Sequence, residues 1–367
     1  MKMAPLLRAF KACRAMPPAV LIHTGQHYDF DLNDRLFIGL DLPAPDINLE
    51  VGSGSHAIQT AEVMKRFEPV IDQSKPSCVV VVGDVNSTLA CSLVASKKSI
   101  PVVHVEAGLR SFDRSMPEEI NRVLTDQLAN VLYTTERGAQ ANLVREGISE
   151  DRIQFVGNLM IDSLHAALPR AVPALELFGR VGIDAAWASA QPGYAAVTLH
   201  RPSNVDDPRT LADIVAIFGE VGQRMPVIWP VHPRTRATIE KFGLSGVLLQ
   251  HRVVCLPPQG YLEMVSLMRS AALVLTDSGG VQEETTARGV PCLTMRTNTE
   301  RPITVDQGTN TLVGIDRGLI LAAVDDVLRS GGKRGRIPEY WDGGAAPRIA
   351  SHMAQWLAAS PEASVHR

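Results

Sequence analysis

Apolar residues recur along this chain in two alternating forms. Short apolar runs, each closed by Gly, Asp, His or Glu, are separated by longer stretches whose apolar positions fall at helical spacing. The first series of runs reads AVLIHTGQHYD, INLEVGSGSHAIQ, CVVVVGDVNST, PVVHVEAGLR, VLYTTE and IQFVGN, with helical patterns such as STLACSLVASKKS and EEINRVLTDQLA between most of them. That alternation predicts right-handed βαβ units around a parallel sheet. A second series follows: YAAVTLHRPSNVDD, PVIWPVHPRTR, RVVCLPPQGY, ALVLTDSGGVQEE, PCLTMRTNTERP and TLVGID. The stretch over 166–192 is broken by Pro and Gly and predicts a connection. Two doubly wound, Rossmann-like α/β domains facing a cleft are expected, over 1–165 and 166–345. Residues 346–367 would form a last helix packing back on the N-terminal domain, with Ile349, Met353, Trp356 and Leu357 on one face.

The opening does not fit this alternation. MKMAPLLRAFKAC places Leu6, Leu7, Phe10 and Cys13 at helical spacing, where a ligand-binding α/β domain should open on a strand and a glycine turn.

Composition narrows the classes. The chain has 367 residues, 36 basic against 39 acidic, a net charge of -3 and no long block of either sign. A general nucleic-acid binder is not expected, although a small anion needs only a local basic pocket. The cysteines Cys13, Cys78, Cys91, Cys255 and Cys292 show no CxxC spacing and read as reduced packing residues. No run approaches the ~18 apolar residues of a membrane span, and no signal-peptide pattern opens the chain. A cytoplasmic protein that does not engage membranes is expected.

Candidate chemistry concentrates at the ends of the runs. Asp84, Glu106 and the Glu118–Glu119 pair follow apolar segments in succession, with Arg110 and Arg114 between them. Each acid alone reads equally well as a cap or turn residue; the succession reads as an active-site layout. In TDSGGVQEE a strand delivers Ser278, Gly279 and Gly280 into a helix whose free N–H groups could hold a diphosphate, with Glu284 one turn on. A plain Ser-capped turn is the alternative. His200, Arg201 and His232 at neighbouring strand ends suggest an anion pocket, to which RTNTERP adds Arg296, Thr299, Glu300 and Arg301. His23 and His104, inside apolar runs, are assigned to the core. There is neither GxGxxG nor a Walker loop, and nothing calls for a metal or nicotinamide cofactor.

GDVNSTLA, HVEAGLRS with MPEEINR, VGN with MID, HRPSNVD, TDSGGVQEE and NTERP, in this order over nearly the whole chain, resemble the non-hydrolysing UDP-N-acetylglucosamine 2-epimerases. The resemblance implies the fold of the B-type glycosyltransferases, a homodimer, and a UDP-sugar substrate with UDP held mainly by the C-terminal domain. It implies that Asp84, Glu106 and Glu118 act around the sugar ring, that His200 works near the diphosphate, and that Ser278, Gly279, Gly280 and Glu284 hold UDP. Lys2, His232 and Arg301 join them as substrate-binding candidates. The implied reaction is reversible inversion at C2 by elimination and re-addition of UDP through a glycal. A hydrolysing epimerase, a glycosyltransferase of the same fold and a catalytically impaired UDP-sugar binder are the alternatives. Mutual repulsion among the three acids and burial in the cleft should raise the pKa of at least one of them.

Three departures from the family pattern stand out. A first strand and a Gly-Thr-Arg-Pro-Glu turn normally precede Lys-Met-Ala-Pro, whereas this chain opens at that run, so the first N-terminal strand is expected to be missing. Tyr28 to Asp31 after Gln26 and His27 differ from the run in allosterically activated relatives. Ser203 stands where an acid often sits.

Overall fold

The computed structural model describes residues 1–25, 39–189, 193–249 and 252–359. The Gln26 to Asp31 run and the closing PEASVHR lie outside them. The chain divides into two compact units, Met1–His165 with Glu339–Arg367, and Ala166–Pro338. All twelve apolar runs contain a strand.

In the first unit, β1 (Ile22–His23) pairs in parallel with β2 (Ile47–Asn48). A separate parallel sheet runs in the order β3 (Val79–Val82), β4 (Val102–Ala107), β5 (Val131–Thr134), β6 (Ile153–Phe155). Among the described residues β1 and β3 are therefore both edge strands. Every residue of β4 is buried, as expected of an inner parallel strand covered on both faces. Val103 and Val105 pack with Tyr133, Leu6, Phe10 and the helix Ala345–Ala359. Val102 packs with Leu132, Phe67 and Ile71 on the other face.

Ala107 joins Val102 in that second cluster although the two are an odd number of residues apart. A register shift between Val105 and Ala107 accounts for this: the strand bulges at Glu106, and the side-chain alternation slips by one. Glu106 takes a left-handed φ of 74° there.

The opening helix Met3–Ala12 buries Leu6 and Phe10, the positions picked out by spacing, and lies against Ala345–Ala359, which buries Ile349, Met353 and Leu357. Buried Asp162 anchors that last helix by accepting from the amides of Ala345 at 3.1 Å and Ala346 at 2.7 Å, two N–H groups that have no partner inside the helix.

The second unit is a six-stranded parallel sheet in the order β12-β11-β10-β7-β8-β9. Its strands are β7 (Ala195–Thr198), β8 (Val227–Pro230), β9 (Val253–Leu256), β10 (Leu273–Thr276), β11 (Cys292–Thr294) and β12 (Asn310–Leu312). The helix Pro208–Arg224 shows why these sequences form these elements. Asp207 caps it by accepting from the Thr210 amide at 2.9 Å, Pro208 occupies the first turn, and Leu211, Ile214, Val215, Phe218 and Val221 form one buried stripe on the sheet. The five cysteines are free. Among the described residues no helix is long and apolar enough to cross a membrane.

Strand order reverses between β7 and β10. At such a switch point the connections leave to opposite faces, and the carboxyl ends of the two strands open a crevice where ligands bind in doubly wound sheets. His200 follows β7 and Ser278 follows β10.

Candidate functional site

In the first unit the acids lie on three successive segments at the carboxyl ends of β3 and β4. Asp84 follows β3, and Arg122 pairs with its carboxylate while Asn121 donates to its backbone oxygen at 2.9 Å. Glu106 occupies the bulge, and Lys2 Nζ lies 2.6 Å from its Oε1. Lys2 is the N-cap residue of Met3–Ala12, where a cation opposes the helix dipole; the carboxylate partner offsets that cost. Glu118 is half-buried in the first turn of the helix Pro117–Leu128.

Its neighbour Glu119 is buried and structural. It accepts from the Ser111 amide at 2.9 Å, the Ser111 hydroxyl at 3.0 Å and the Phe112 amide at 2.9 Å, and pairs with Arg122 at 2.9 Å. Arg122 therefore ties the loop after β4 to the loop after β3. Repulsion between carboxylates was the expected theme; a cation stands beside each of two of them.

Arg110 also turns inward. It forks onto Glu146 at 2.8 and 2.6 Å and reaches buried Asp126 at 2.7 Å. Burial opposes the charge of Arg110, but Glu146 and Asp126 more than compensate and hold its pKa above the usual value. Arg114 is exposed.

In the second unit Asp277, fully buried after β10, is the hub. Its carboxylate accepts from the amides of His200 at 3.1 Å and Arg201 at 2.9 Å, from Asn204 Nδ2 at 3.1 Å and from His200 Nδ1 at 2.8 Å. Burial penalises its charge; the bonds from His200, then those of the amides, outweigh that and hold it below the ordinary carboxylate range. Committing Nδ1–H to Asp277 leaves Nε2 of the half-exposed imidazole for a ligand.

The helix Gly279–Arg288 starts at Ser278, whose side chain makes no cap hydrogen bond. Its first-turn N–H groups at Gly279 and Gly280 thus keep their anion-binding capacity. Gly279 is required by a close approach: a Cβ there would lie 2.6 Å from Glu300 Oε1, and Arg296 pairs with Glu300 at 2.9 Å. Arg301 pairs with buried Glu283 at 2.7 Å. Glu284 is buried and accepts from the Tyr261 hydroxyl at 2.7 Å. Burial pushes its carboxyl up to about 7, against the Tyr261 bond and with help from Glu283. His232 is exposed after β8, and Ser203 is exposed in the turn Pro202–Val205.

Lys2, Asp84, Glu106 and Glu118 thus belong to one unit, and His200, His232, Ser278, Gly279, Gly280, Glu284 and Arg301 to the other. Sequence reasoning missed Arg122 and Asp277. Arg122 lies one helical turn after Glu118, in the quoted MPEEINR, a spacing that could have drawn attention to it. Asp277 stands inside TDSGG, where the glycines drew the notice.

Residues 11–354 match the family model described as UDP-N-acetylglucosamine 2-epimerase. The chain is 42% identical over 354 residues to a UDP-N-acetylglucosamine 2-epimerase of Methanocaldococcus jannaschii, covering 95% of this chain and 94% of that one. It is also 42% identical over 343 residues to a UDP-2,3-diacetamido-2,3-dideoxy-D-glucuronate 2-epimerase of Pseudomonas aeruginosa, covering 92% and 91%. A crystal structure of the M. jannaschii UDP-GlcNAc 2-epimerase in complex with UDP-GlcNAc and UDP superposes with a TM-score of 0.85 at 40% identity, covering 96% of each chain. A sucrose-phosphate synthase of Thermosynechococcus elongatus shares the fold alone, with a TM-score of 0.53 at 13% identity over 82% and 79%. The two doubly wound units form the B-type glycosyltransferase fold, and the chain belongs to the UDP-N-acetylglucosamine 2-epimerase family.

Proposed function

We propose that this protein interconverts UDP-N-acetylglucosamine and UDP-N-acetylmannosamine by elimination and re-addition of UDP. The observation that carries the reading is the constellation at the β7/β10 switch point. There an uncapped helix start with two glycines stands in the same unit as a histidine whose Nδ1 is fixed by Asp277. Such a site suits a diphosphate leaving group.

The chemistry accounts for the acids. The C2 proton of a UDP-sugar is not beside a free carbonyl, so direct deprotonation is unfavourable. As the anomeric C–O bond breaks, its electrons leave with UDP and the ring gains oxocarbenium character, which acidifies C2–H. A carboxylate takes that proton, and the C–H pair becomes the C1=C2 bond of a glycal. A second acid then delivers a proton to C2 from the opposite face while a β-phosphate oxygen of UDP re-forms the bond to C1. Asp84, Glu106 and Glu118 are assigned to the ring and its cationic character, with Lys2 beside Glu106. Ser278, Gly279 and Gly280 hold the diphosphate, His200 steadies its developing charge, and Glu284 takes the ribose hydroxyls. His232 and Arg301 are assigned to substrate binding. A homodimer belongs to the same reading, tested by the solution mass.

The two 42% identical relatives carry names with different sugars, so the diacetamido-glucuronate nucleotide belongs in the substrate panel. The same C2 chemistry serves both. Incubation of the purified protein with either UDP-N-acetylhexosamine, followed by 31P NMR, should give one common mixture of the two epimers with little free UDP. Stoichiometric UDP and free N-acetylmannosamine would instead identify a hydrolysing epimerase.

A further inference from the structure

His104 was assigned to the core, and it is fully buried in β4, but its ring makes two polar contacts. Nε2 lies 2.9 Å from the carbonyl oxygen of Gly83, and Nδ1 lies 2.6 Å from Asp126 Oδ1. A carbonyl oxygen only accepts. Asp126 only accepts when ionised, and although burial opposes its charge, His104 and Arg110 hold its pKa below the usual value. The ring therefore bridges the two groups, with Nε2 on the carbonyl and Nδ1 on the carboxyl group. Arg110 pairs with the same Asp126 and with Glu146.

What the ring joins is informative. Gly83 immediately precedes Asp84. Asp126, on the helix Pro117–Leu128, also accepts from the Gly108 amide at 3.1 Å, two residues beyond Glu106. Between those ties Glu106 sits in the bulge with φ 74°, a conformation unfavourable for a non-glycine residue that persists only where the surroundings over-determine it. Gly108 is packed closely beside it: it has φ 79°, and a Cβ there would lie 2.4 Å from the Ala139 carbonyl oxygen.

We propose that His104, held between Asp126 and Gly83, is a positioning residue that fixes the turns bearing Asp84 and Glu106 relative to each other. Its catalytic consequence rests on the assignment of those two acids to the sugar ring. A displacement of ~1 Å in such groups costs about 100-fold in rate.

Two measurements on the full chain test this. His104→Gln keeps one donor for Gly83 but cannot bridge to Asp126. It should lower kcat about 100-fold while KM and UDP affinity stay within about threefold, and Asp126→Asn should do the same. A kcat within about threefold of the parent in folded His104→Gln overturns the positioning role. Independently of activity, the Gly108 amide should exchange with solvent at least about tenfold faster in folded His104→Gln, because its acceptor Asp126 loses its anchor. Unchanged exchange overturns the clamp. A parent protein that leaves every UDP-sugar untouched would defeat the functional reading, while amide exchange still decides the clamp.

Discussion

His200 donates from Nδ1 to Asp277 at 2.8 Å, and the same carboxylate takes the backbone amides of His200 and Arg201. One buried acid thus sets both the turn after β7 and the tautomer of the imidazole. Asp277→Asn turns an amide NH2 toward groups that are all donors. Activity should fall about 10- to 100-fold and UDP affinity about tenfold, with a lower Tm. Steady-state kinetics beside UDP calorimetry check this; unaltered kinetics would remove Asp277 from the account.

Arg122 has a different reach. Its partners Asp84 and Glu119 are both in the first unit, and Glu119 is buried with three other donors. Arg122→Met takes a charged partner from two carboxylates and should destabilise the first unit by about 1–3 kcal/mol. Arg122→Lys keeps the charge but not the fork, so kcat should drop about 100-fold with UDP affinity retained. Urea unfolding and UDP titration separate the two effects.

Glu284 makes stability fall with rising pH. Its folded-state pKa is about 7 against 4.5 in the unfolded chain, so the folded form binds the extra proton between those values. Below 4.5 the carboxyl is neutral in both states and costs nothing; by pH 8 the whole penalty is present, on the order of 3 kcal/mol. Glu284→Gln keeps an acceptor for Tyr261 and removes the charge. The stability difference between variant and parent should grow in the variant's favour from pH 4.5 to 8, as read by denaturant midpoints.

Gly279→Ala puts a methyl 2.6 Å from Oε1 of Glu300, a carboxylate that Arg296 holds through Oε2. The helix start must shift, and UDP affinity should weaken about tenfold with little change in Tm. An unaltered Kd for UDP would show that the diphosphate lies elsewhere.

The strands were legible because short apolar runs ending in turn residues are a local signal, and each of the twelve is a strand. The opening and closing helices were legible from Leu6 and Phe10, and from Ile349 and Met353, at helical spacing. The bulge at Glu106 was not. PVVHVEAGLR reads as an uninterrupted strand, and the bulge is flanked by contacts to Asp126, which reaches back from the helix Pro117–Leu128. The partner choices of Arg122, Arg110 and Asp277 are likewise set by groups distant in sequence. A run of residues names the acids but not the cations that come to sit beside them.

The most direct test of the account is proton NMR of UDP-N-acetylglucosamine with the purified protein in D2O. Elimination and re-addition exchanges the C2 proton in every turnover, so deuterium should appear at C2 together with UDP-N-acetylmannosamine. UDP-N-acetylmannosamine that keeps its C2 proton, or a UDP-sugar left unchanged by a folded, UDP-binding protein, would contradict it.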